Sequence, residues 1–205
     1  MSGREALRRL PWRLRYRWAP RVASDWRRRS LTATHRHLGV QIADDVRIGP
    51  RFDLRILDRG SFTVAPRVEF RSNNTFEIAG DGRVEIGAGC IFSWNTIVQC
   101  TTTVSFEEDV VLSNGVLVVD GNHRFRDPNT HFLRQGYNFR PIRFGYGALV
   151  LAQSVVIADV GERAVVGANS VVTKPVPPYC LAVGTPAEIV EYFGPPELRP
   201  EGLEV

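Results

Sequence analysis

Apolar residues recur every six positions through the middle of this chain, and no other feature restricts its fold as strongly. The first run is Ile86, Phe92, Val98, Val104, Val110 and Val116. After a break the spacing returns at Phe144, Val150 and Val156, and one step of four leads to Val160, Val166 and Val172. A fixed period of this kind is the signature of a solenoid, in which one short structural unit stacks on the next.

A repeat of six residues excludes the two commonest explanations of an apolar pattern. On an α-helix with about 3.6 residues per turn, positions six apart move around the surface without forming one stripe. A two-faced sheet would instead show strict alternation. A coil with three short sides fits, because one apolar residue per side points inward and small or polar residues occupy the corners. The segments 86–89 (Ile-Gly-Ala-Gly) and 166–169 (Val-Gly-Ala-Asn) have this form. The sequence therefore predicts an all-β fold, a parallel β-helix.

The repeat has irregular coils at its start and one long interruption. Upstream, the pattern is kept less cleanly by Val40, Val46 and Phe52, then by Val64, Phe70 and Phe76. Capping repeats are usually irregular in this way. Residues 122–141 break the period with a polar, arginine-rich segment, and so long a loop in a regular solenoid is more often functional than accidental. We predict an N-terminal arm at 1–38, a β-helix domain at 39–190 with its loop at 122–141, and a tail at 191–205.

Positive charge is concentrated in the N-terminal arm. Residues 1–30 hold ten arginines and two acidic residues, a net charge of +8, whereas the whole chain is at +4. Apolar residues are interleaved with these arginines, although Pro11 would kink or end a helix; they are Leu7, Leu10, Trp12, Leu14, Trp18 and Trp26. Such a composition suits peripheral contact with an anionic membrane surface. The alternative is an arm that packs on the β-helix or on a neighbouring subunit. Nucleic-acid binding is disfavoured, because no recognised motif accompanies the charge.

Neither a membrane span nor a disulfide framework is expected. No window holds about 18 consecutive apolar residues, and arginines interrupt the N-terminal segment too often for a signal peptide. We therefore expect a cytoplasmic protein, with peripheral attachment to the inner face of the membrane through residues 1–30 as the open alternative. The three cysteines, Cys90, Cys100 and Cys180, have no ligand-like spacing and favour buried free thiols over a disulfide or a zinc site.

Two motifs carry a resemblance to a known family. Residues 165–187 read VVGANSVVTKPVPPYCLAVGTPA, and residues 120–123 (Asp-Gly-Asn-His) end a coil just before the loop. With these motifs the chain resembles the hexapeptide-repeat acyltransferases, and among them the maltose, galactoside and polysaccharide O-acetyltransferases. The resemblance covers about residues 83–190. It implies a left-handed coil, a homotrimer with active sites between subunits, acetyl-CoA as co-substrate, no metal, and a sugar or glycan-like acceptor, as in polysaccharide biosynthesis.

The resemblance also implies roles for residues near the loop. His123 matches the family's catalytic histidine, and a neutral imidazole with a pKa of about 6.5 can accept the acceptor's hydroxyl proton at neutral pH. Asp120 is a candidate for orienting His123, with a backbone carbonyl as the alternative orienter and a solvated turn as the alternative role for Asp120. His131 is expected on the loop surface.

Acceptor and donor positions follow from aligning the coils with those of the family. Ser93, Trp94 and Asn95 fall where the galactoside enzymes bind the acceptor, although Ser93 replaces a substrate-binding asparagine there. Asn95 has an ordinary corner residue as its alternative, and Trp94 could stack on a sugar or seal the trimer interface. The residues implied for coenzyme A are Leu149, Ala152, Ala168, Thr173 and Lys174, with Lys174 placed for a phosphate.

Departures from the family pattern leave other functions open. Leu149 stands where a tryptophan is common, and Glu188 and Glu191 replace two basic residues expected near the nucleotide phosphates. Like charges repel by about 1 kcal/mol per close pair even in bulk water. Either Arg140 and Arg143 take the place of the two missing basic residues, or the chain is a non-catalytic scaffold that has lost coenzyme A binding. A metal enzyme such as a γ-class carbonic anhydrase is disfavoured, because it needs three converging histidines. An amine acceptor stays open beside a hydroxyl.

Overall fold

A computed structural model of the protein describes residues 19–203. One helix, α1 (Ala19–Thr34), precedes three flat sheets that we call A, B and C. Sheet A contains β1 (Gly39–Ile42), β4 (Ser61–Val64), β7 (Arg83–Ile86), β10 (Thr103–Phe106) and β15 (Ile142–Phe144). Sheet B contains β2 (Arg47–Ile48), β5 (Glu69–Phe70), β8 (Ile91–Phe92), β11 (Val111–Leu112), β16 (Leu149–Val150), β18 (Val165–Val166), β20 (Cys180–Gly184) and β21 (Ala187–Tyr192).

The remaining strands complete the third side and one hairpin. Sheet C contains β3 (Asp53–Ile56), β6 (Thr75–Ile78), β9 (Ile97–Cys100), β12 (Leu117–Val119), β17 (Val155–Val156) and β19 (Val171–Val172). The antiparallel hairpin consists of β13 (Gly121–His123) and β14 (Tyr137–Phe139), and short 3-10 turns lie at Phe132–Arg134 and Pro196–Leu198. The chain visits A, B and C in turn, so that each coil stacks in parallel on the one before. This confirms the predicted parallel β-helix.

The six-residue period marks the core as predicted. All twelve of its positions between residues 86 and 172 are buried, and so are the earlier positions, except Phe52, which is partly buried. Phenylalanine rings stack along the axis, with centroids 5.0 Å apart for Phe70 and Phe92 and 4.7 Å for Phe106 and Phe144. Because each coil exposes its apolar edge to the next, burial is continuous through the domain.

Coil length, in contrast, is not constant. Gly39 pairs with Ser61 in the first coils, whereas Leu149 pairs with Val165 in the last ones, and the second pair is closer along the chain. The early coils are longer because most strands of sheets A and C there have four residues, of which two usually point inward. In the last coils, sheet A shrinks to single bridging residues. The step of four before Val160 is therefore a shortened side, and six is an average.

Left-handed backbone turns form the corners between sheets. Gly89 and Asn169, both predicted at corners, have φ values of 76° and 57°. Gly87 is required by close approach, since a Cβ there would lie 2.6 Å from the carbonyl carbon of Glu107 in the next coil. The three cysteines are free and buried, as predicted, and burial raises the pKa of the Cys90 and Cys100 thiols to about 12.

Helix α1 packs on the first coil. The Ser24 hydroxyl accepts a hydrogen bond from the Ile48 amide at 2.7 Å, and the Arg27 guanidinium donates to the Ile48 carbonyl at 2.5 Å. Arg28 is 8% exposed and pairs with Asp44 at 2.6 Å. Residues 19–34 thus pack on the β-helix, which is one of the two alternatives given for the arm. The leucines and tryptophans at positions 7–18 lie outside the described residues. Within residues 19–203, no helix is long and apolar enough to cross a bilayer.

Candidate active site

The long loop leaves the β-helix at the corner between sheets C and A, which we call the C–A corner. Strand β12 ends at Val119, and β13 then turns away from the coil to pair with β14, opposing His123 to Tyr137. The coil resumes at Ile142. The polar excursion is thus anchored by a hairpin, and the alternating Tyr-Asn-Phe of residues 137–139 is the one sequence signal that could have indicated it.

His123 lies at the end of this hairpin that is farther from the coil, among aromatic rings. Its imidazole centroid is 4.3 Å from that of Tyr137 and 5.8 Å from that of Phe132. The ring is half-buried and lines a cavity of about 500 Å³ together with Gln135 and Asn138. Its Nδ1 atom is buried and has no hydrogen-bond partner within the described chain. Packing against Tyr137, rather than a hydrogen bond, therefore holds the imidazole in this protomer.

The orienting role predicted for Asp120 is not supported by its contacts. Asp120 is 3% exposed, and its carboxylate accepts hydrogen bonds from the backbone amides of Thr101 and Thr102 at 2.6–3.0 Å. It also accepts from the Thr102 hydroxyl at 2.8 Å. These donors belong to the corner of the preceding coil. Asp120 is neither a solvated turn residue nor a partner of His123, because it secures the corner from which the loop departs.

A smaller cavity of about 230 Å³ joins the loop to later coils at the same corner. Its lining includes Asp120, Asn138, Arg140, Ile157 and Thr173. The Arg140 guanidinium donates to the Ile157 carbonyl at 3.0 Å. The structure therefore brings Thr173, a predicted coenzyme A residue, next to the loop that carries His123. Lys174 follows Thr173 and is exposed.

Only one of the two candidate replacement arginines lies at this corner. Arg140 borders the smaller cavity, whereas Arg143 projects from β15 in sheet A and donates to the Glu107 carboxylate at 3.0 Å. Hydrogen bonding from Arg143 lowers the pKa of Glu107. Glu188 and Glu191 are exposed on β21, which closes the last coil as an antiparallel strand.

The remaining predicted residues lie mainly at another corner, between sheets B and C, which we call the B–C corner. Ser93, Trp94 and Asn95 form its turn in the third coil, while Ala152 and Ala168 occupy it in the fifth and sixth coils. Leu149 lies within β16, half-buried on sheet B. Stacking therefore aligns the predicted acceptor residues and the small coenzyme A residues along one ridge.

Individual side chains at this corner differ in accessibility. Ser93 is 6% exposed, whereas Trp94 is 44% exposed and lies under the Arg71 guanidinium, 4.6 Å from the ring centroid. Asn95 has a φ of 62°, and its side-chain oxygen accepts a hydrogen bond from Asn73 at 2.7 Å. Asn95 is therefore a corner residue, as in its alternative interpretation, and the amide nitrogen is its remaining polar group. Sequence reasoning missed Arg71 and Asn73, which belong to the preceding coil and contact Trp94 and Asn95.

The predicted site residues of one protomer thus form two separate groups, which we call the half-sites. His123, Thr173 and Lys174 lie at the C–A corner, and the width of sheet C separates them from the B–C corner. Metal binding has no support in residues 19–203, where no cluster of three His, Cys, Asp or Glu side chains could hold an ion. His131, the other loop histidine, is exposed, and its Nδ1 accepts from the Leu133 amide at 3.4 Å.

Sequence comparison places acetyltransferases among the relatives of the chain. Serine acetyltransferase of Haemophilus influenzae is 33% identical over 115 residues, 56% of this chain and 39% of that protein. A dTDP-3-amino-3,6-dideoxy-α-D-galactopyranose 3-N-acetyltransferase of Aneurinibacillus thermoaerophilus is 52% identical over 48 residues, 22% of this chain and 25% of that protein. The chain thus spans about two fifths, or less, of the length of these relatives. No family model matches the sequence.

Structural comparison identifies the same class of fold. AntD, an N-acyltransferase of Bacillus cereus solved with dTDP-4-amino-4,6-dideoxyglucose and coenzyme A, aligns with a TM-score of 0.64 at 14% identity, covering 82% of this chain and 89% of that one. A hexapeptide-repeat acetyltransferase of Vibrio cholerae with acetyl coenzyme A aligns with a TM-score of 0.55 at 18% identity, covering 82% and 78%. The protein therefore has the left-handed β-helix of these enzymes, and the predicted resemblance to hexapeptide-repeat acyltransferases is confirmed.

Proposed function

We propose that this protein is an acyltransferase that moves an acetyl group from acetyl-CoA to a sugar or glycan-like acceptor, with His123 as general base. One observation carries the proposal: where the loop leaves the coil, Thr173 lines a cavity together with Asn122, the residue that precedes His123. Relatives that act on serine or on amino-sugars, and fold neighbours solved with coenzyme A, support the reaction class. Both hydroxyl and amine acceptors are compatible with this base.

In this mechanism, the imidazole accepts and then donates one proton. His123 accepts the acceptor's hydroxyl or amine proton as its oxygen or nitrogen attacks the thioester carbonyl carbon. The carbon–sulfur bond then breaks, and the imidazolium returns the proton to the departing sulfur, which leaves as a free thiol. The Tyr137 ring packs against the imidazole at 4.3 Å between centroids, with the two planes tilted by 40°. The product is an acetyl ester or an acetamide.

The residues that would bind acetyl-CoA match the chemistry of that ligand only in part. Lys174 offers a point charge to a phosphate, and Arg140 adds a second cation at the same corner. Ala152 and Ala168 leave the backbone of the B–C corner open to close approach. The glutamates of β21 oppose nucleotide phosphates, which is the specific observation that favours the second candidate, a scaffold without coenzyme A binding.

A homotrimer would unite the two half-sites. The outer face of sheet C is charged in the first coils, at Arg55 and Glu77. In the later coils it is largely apolar, at Ile97, Leu117, Val119, Val155, Ile157 and Val171, each at least partly exposed in the protomer. Sheet A instead presents polar residues, including Gln41, Ser61, Thr63, Arg83 and Glu85. A three-membered ring that turns sheet C toward its axis buries the apolar face and sets the C–A corner of one protomer beside the B–C corner of the next.

Thermal shift with acetyl-CoA tests the proposal directly. Ligand at 100 times its dissociation constant stabilises the folded state by about 2.7 kcal/mol, which raises the melting temperature of a domain this size by roughly 5–11 °C. We expect this shift in the wild type and in His123→Ala, and its loss in Lys174→Glu. Acetyl transfer to screened sugars and amino-sugars should fail in both variants, but only His123→Ala should fail while still binding acetyl-CoA. No shift at millimolar acetyl-CoA would reject the enzyme and favour the scaffold.

A further inference from the structure

A large cleft lies between helix α1 and the first two coils, away from His123. Its volume is about 820 Å³, within the range typical of small-molecule sites. The walls come from α1, from β2 and β5 of sheet B, and from the B–C corner at Gly49, Pro50, Ser72 and Trp94. The cleft therefore ends at the residue predicted to bind the acceptor. None of the residues that line it belongs to the half-site at the C–A corner.

The charged residues of the cleft lining sum to +1, with four arginines and three carboxylates. Arg21, Arg27, Arg47 and Arg71 line it, against the carboxylates of Asp25, Asp45 and Glu69. Asp25 lies 3.7 Å from the buried Arg28, outside the cleft lining, and Asp45 accepts from the Arg67 amide at 3.1 Å. Two of the three carboxylates are thus held by groups outside the cleft, and positive charge is in excess within it.

Two of the guanidinium groups share a single carboxylate. Arg71 donates to one oxygen of Glu69 at 3.2 Å, and Arg47 lies 3.4 Å from the other. A guanidinium has five N–H donors, so most donors of both groups remain available for a ligand. Planar arrays of this kind match phosphate oxygens in a bidentate manner. Within residues 19–203, Arg21 and Arg27 make no ion pair, which adds two further cations.

The cleft and the half-site residues of the B–C corner follow one another in successive coils along the axis. Trp94 lies one coil beyond Arg71 and two beyond Arg47, while Ala152 lies two coils beyond Trp94. At about 4.8 Å per coil, the backbone of Arg71 lies about 5 Å from that of Trp94 along the axis, and the backbone of Arg47 about 10 Å. That length matches a diphosphate joined to a sugar ring. A sugar against Trp94 would extend its anionic end into the cleft and its reactive face toward the donor.

From this arrangement we infer that the cleft binds the diphosphate of a diphosphate-linked sugar, which is the acceptor of the proposed reaction. To call this ligand the acceptor rests on the proposed function, whereas the binding of a diphosphate is inferred from the residues of the cleft alone. A nucleoside diphosphate-sugar and a lipid diphosphate-sugar share the recognised chemistry. Arg47 and Arg71 hold the phosphates, and Trp94 lies against the adjoining ring.

Calorimetric titration of the full chain tests the site without requiring turnover. The probes are dTDP-glucose, inorganic pyrophosphate, glucose, and phosphatidylcholine vesicles containing an undecaprenyl diphosphate-sugar. We expect dTDP-glucose or the vesicles to bind, and pyrophosphate to compete, whereas glucose alone binds far more weakly. Preference for the soluble or the vesicle probe identifies the source of the diphosphate.

Matched variants separate the cleft from general charge. Arg47→Gln should weaken binding of the diphosphate probe about tenfold or more, as expected for loss of a charge-assisted contact. Arg83→Gln makes the same charge change on the outer face of sheet A and should leave binding within twofold of wild type. Equal affinity in the two variants, or failure of every diphosphate probe to bind, would overturn the inference.

Parallel titration with acetyl-CoA keeps this inference distinct from the proposed function. Binding of acetyl-CoA without binding of any diphosphate probe rejects the cleft and leaves the acyltransferase standing. Binding of the diphosphate probe without any binding of acetyl-CoA rejects the acyltransferase and leaves the cleft as a diphosphate site. Arg47→Gln should retain wild-type affinity for acetyl-CoA, since Arg47 lies in the first coil and the donor residues in the fifth and sixth.

Discussion

Replacing Asp120 by alanine tests whether this residue supports the fold or the chemistry. Its carboxylate accepts from the backbone amides of Thr101 and Thr102 and from the Thr102 hydroxyl, and only 3% of the residue is exposed. Alanine would leave two backbone donors without a partner at a corner where little water reaches. The chain path into the loop begins at this same corner, so the perturbation would also loosen the hairpin that carries His123.

The expected loss can be worked from these contacts. A hydrogen bond to a charged group contributes about 1.5–3 kcal/mol, and two backbone donors depend on Asp120, so Asp120→Ala should destabilise the fold by about 3–6 kcal/mol. For about 200 residues, each kcal/mol lowers the melting temperature by about 2–4 °C, which gives a decrease of roughly 6–24 °C. Asp120→Asn should recover part of this loss, because its amide oxygen still accepts.

Scanning calorimetry with a control at the same corner provides the assay. Asp58, earlier along the C–A corner, is exposed and accepts one hydrogen bond, from the Gly80 amide at 2.9 Å. Asp58→Ala should therefore cost only about 0.5–1.5 kcal/mol. Equal decreases for the two alanine variants would refute the reasoning. An unchanged melting temperature together with a large loss of kcat in Asp120→Ala would restore Asp120 as the positioning residue of His123.

Three further predictions concern stability. Phe92→Ala empties a fully buried position that packs against neighbouring rings, and urea denaturation should show a loss of about 3–5 kcal/mol. Ser24→Ala leaves the Ile48 amide without its 2.7 Å partner, so hydrogen exchange at that amide should accelerate as α1 detaches more often. Arg143 lowers the folded-state pKa of Glu107, so this pair stabilises the fold above the unfolded pKa and loses its effect as pH falls through the folded value. Glu107→Gln should therefore melt slightly below wild type at pH 7, and the difference should disappear toward pH 3; a difference that grows in acid would contradict the pairing.

The fold was predictable because the coil repeats one physical requirement. Each side must present an apolar residue to the axis, so Ile86 through Val172 reveal the core without knowledge of any contact. The corners were predictable for a similar reason, since Gly89 and Asn169 tolerate left-handed backbone. Helix α1 was only one of two alternatives, because an arginine-rich amphipathic segment suits a membrane surface and a protein surface alike.

The candidate site was harder to assemble from spacing. Sequence reasoning placed His123 and Thr173 on separate repeats, and the structure shows that Thr173 lines a cavity with Asn122 and Asn138 of the loop that carries His123. It attached Asp120 to His123 because the two are close along the chain, yet the Asp120 carboxylate turns to the preceding coil. Short separation along a chain is a poor guide at a corner, where the backbone changes direction within a few residues.

By itself, the sequence determined the repeat, the inward positions, the corners and the location of the interrupting loop, because these depend on local residue type and periodicity. Only the tertiary structure decided which repeats lie above one another, since the coils shorten toward the C-terminus and so shift the alignment of distant positions. That stacking brings Arg47, Arg71 and Trp94 to one cleft, which α1 borders on its other side. A cleft of this kind is formed by residues from different coils, and its chemistry exists only once the chain has wound.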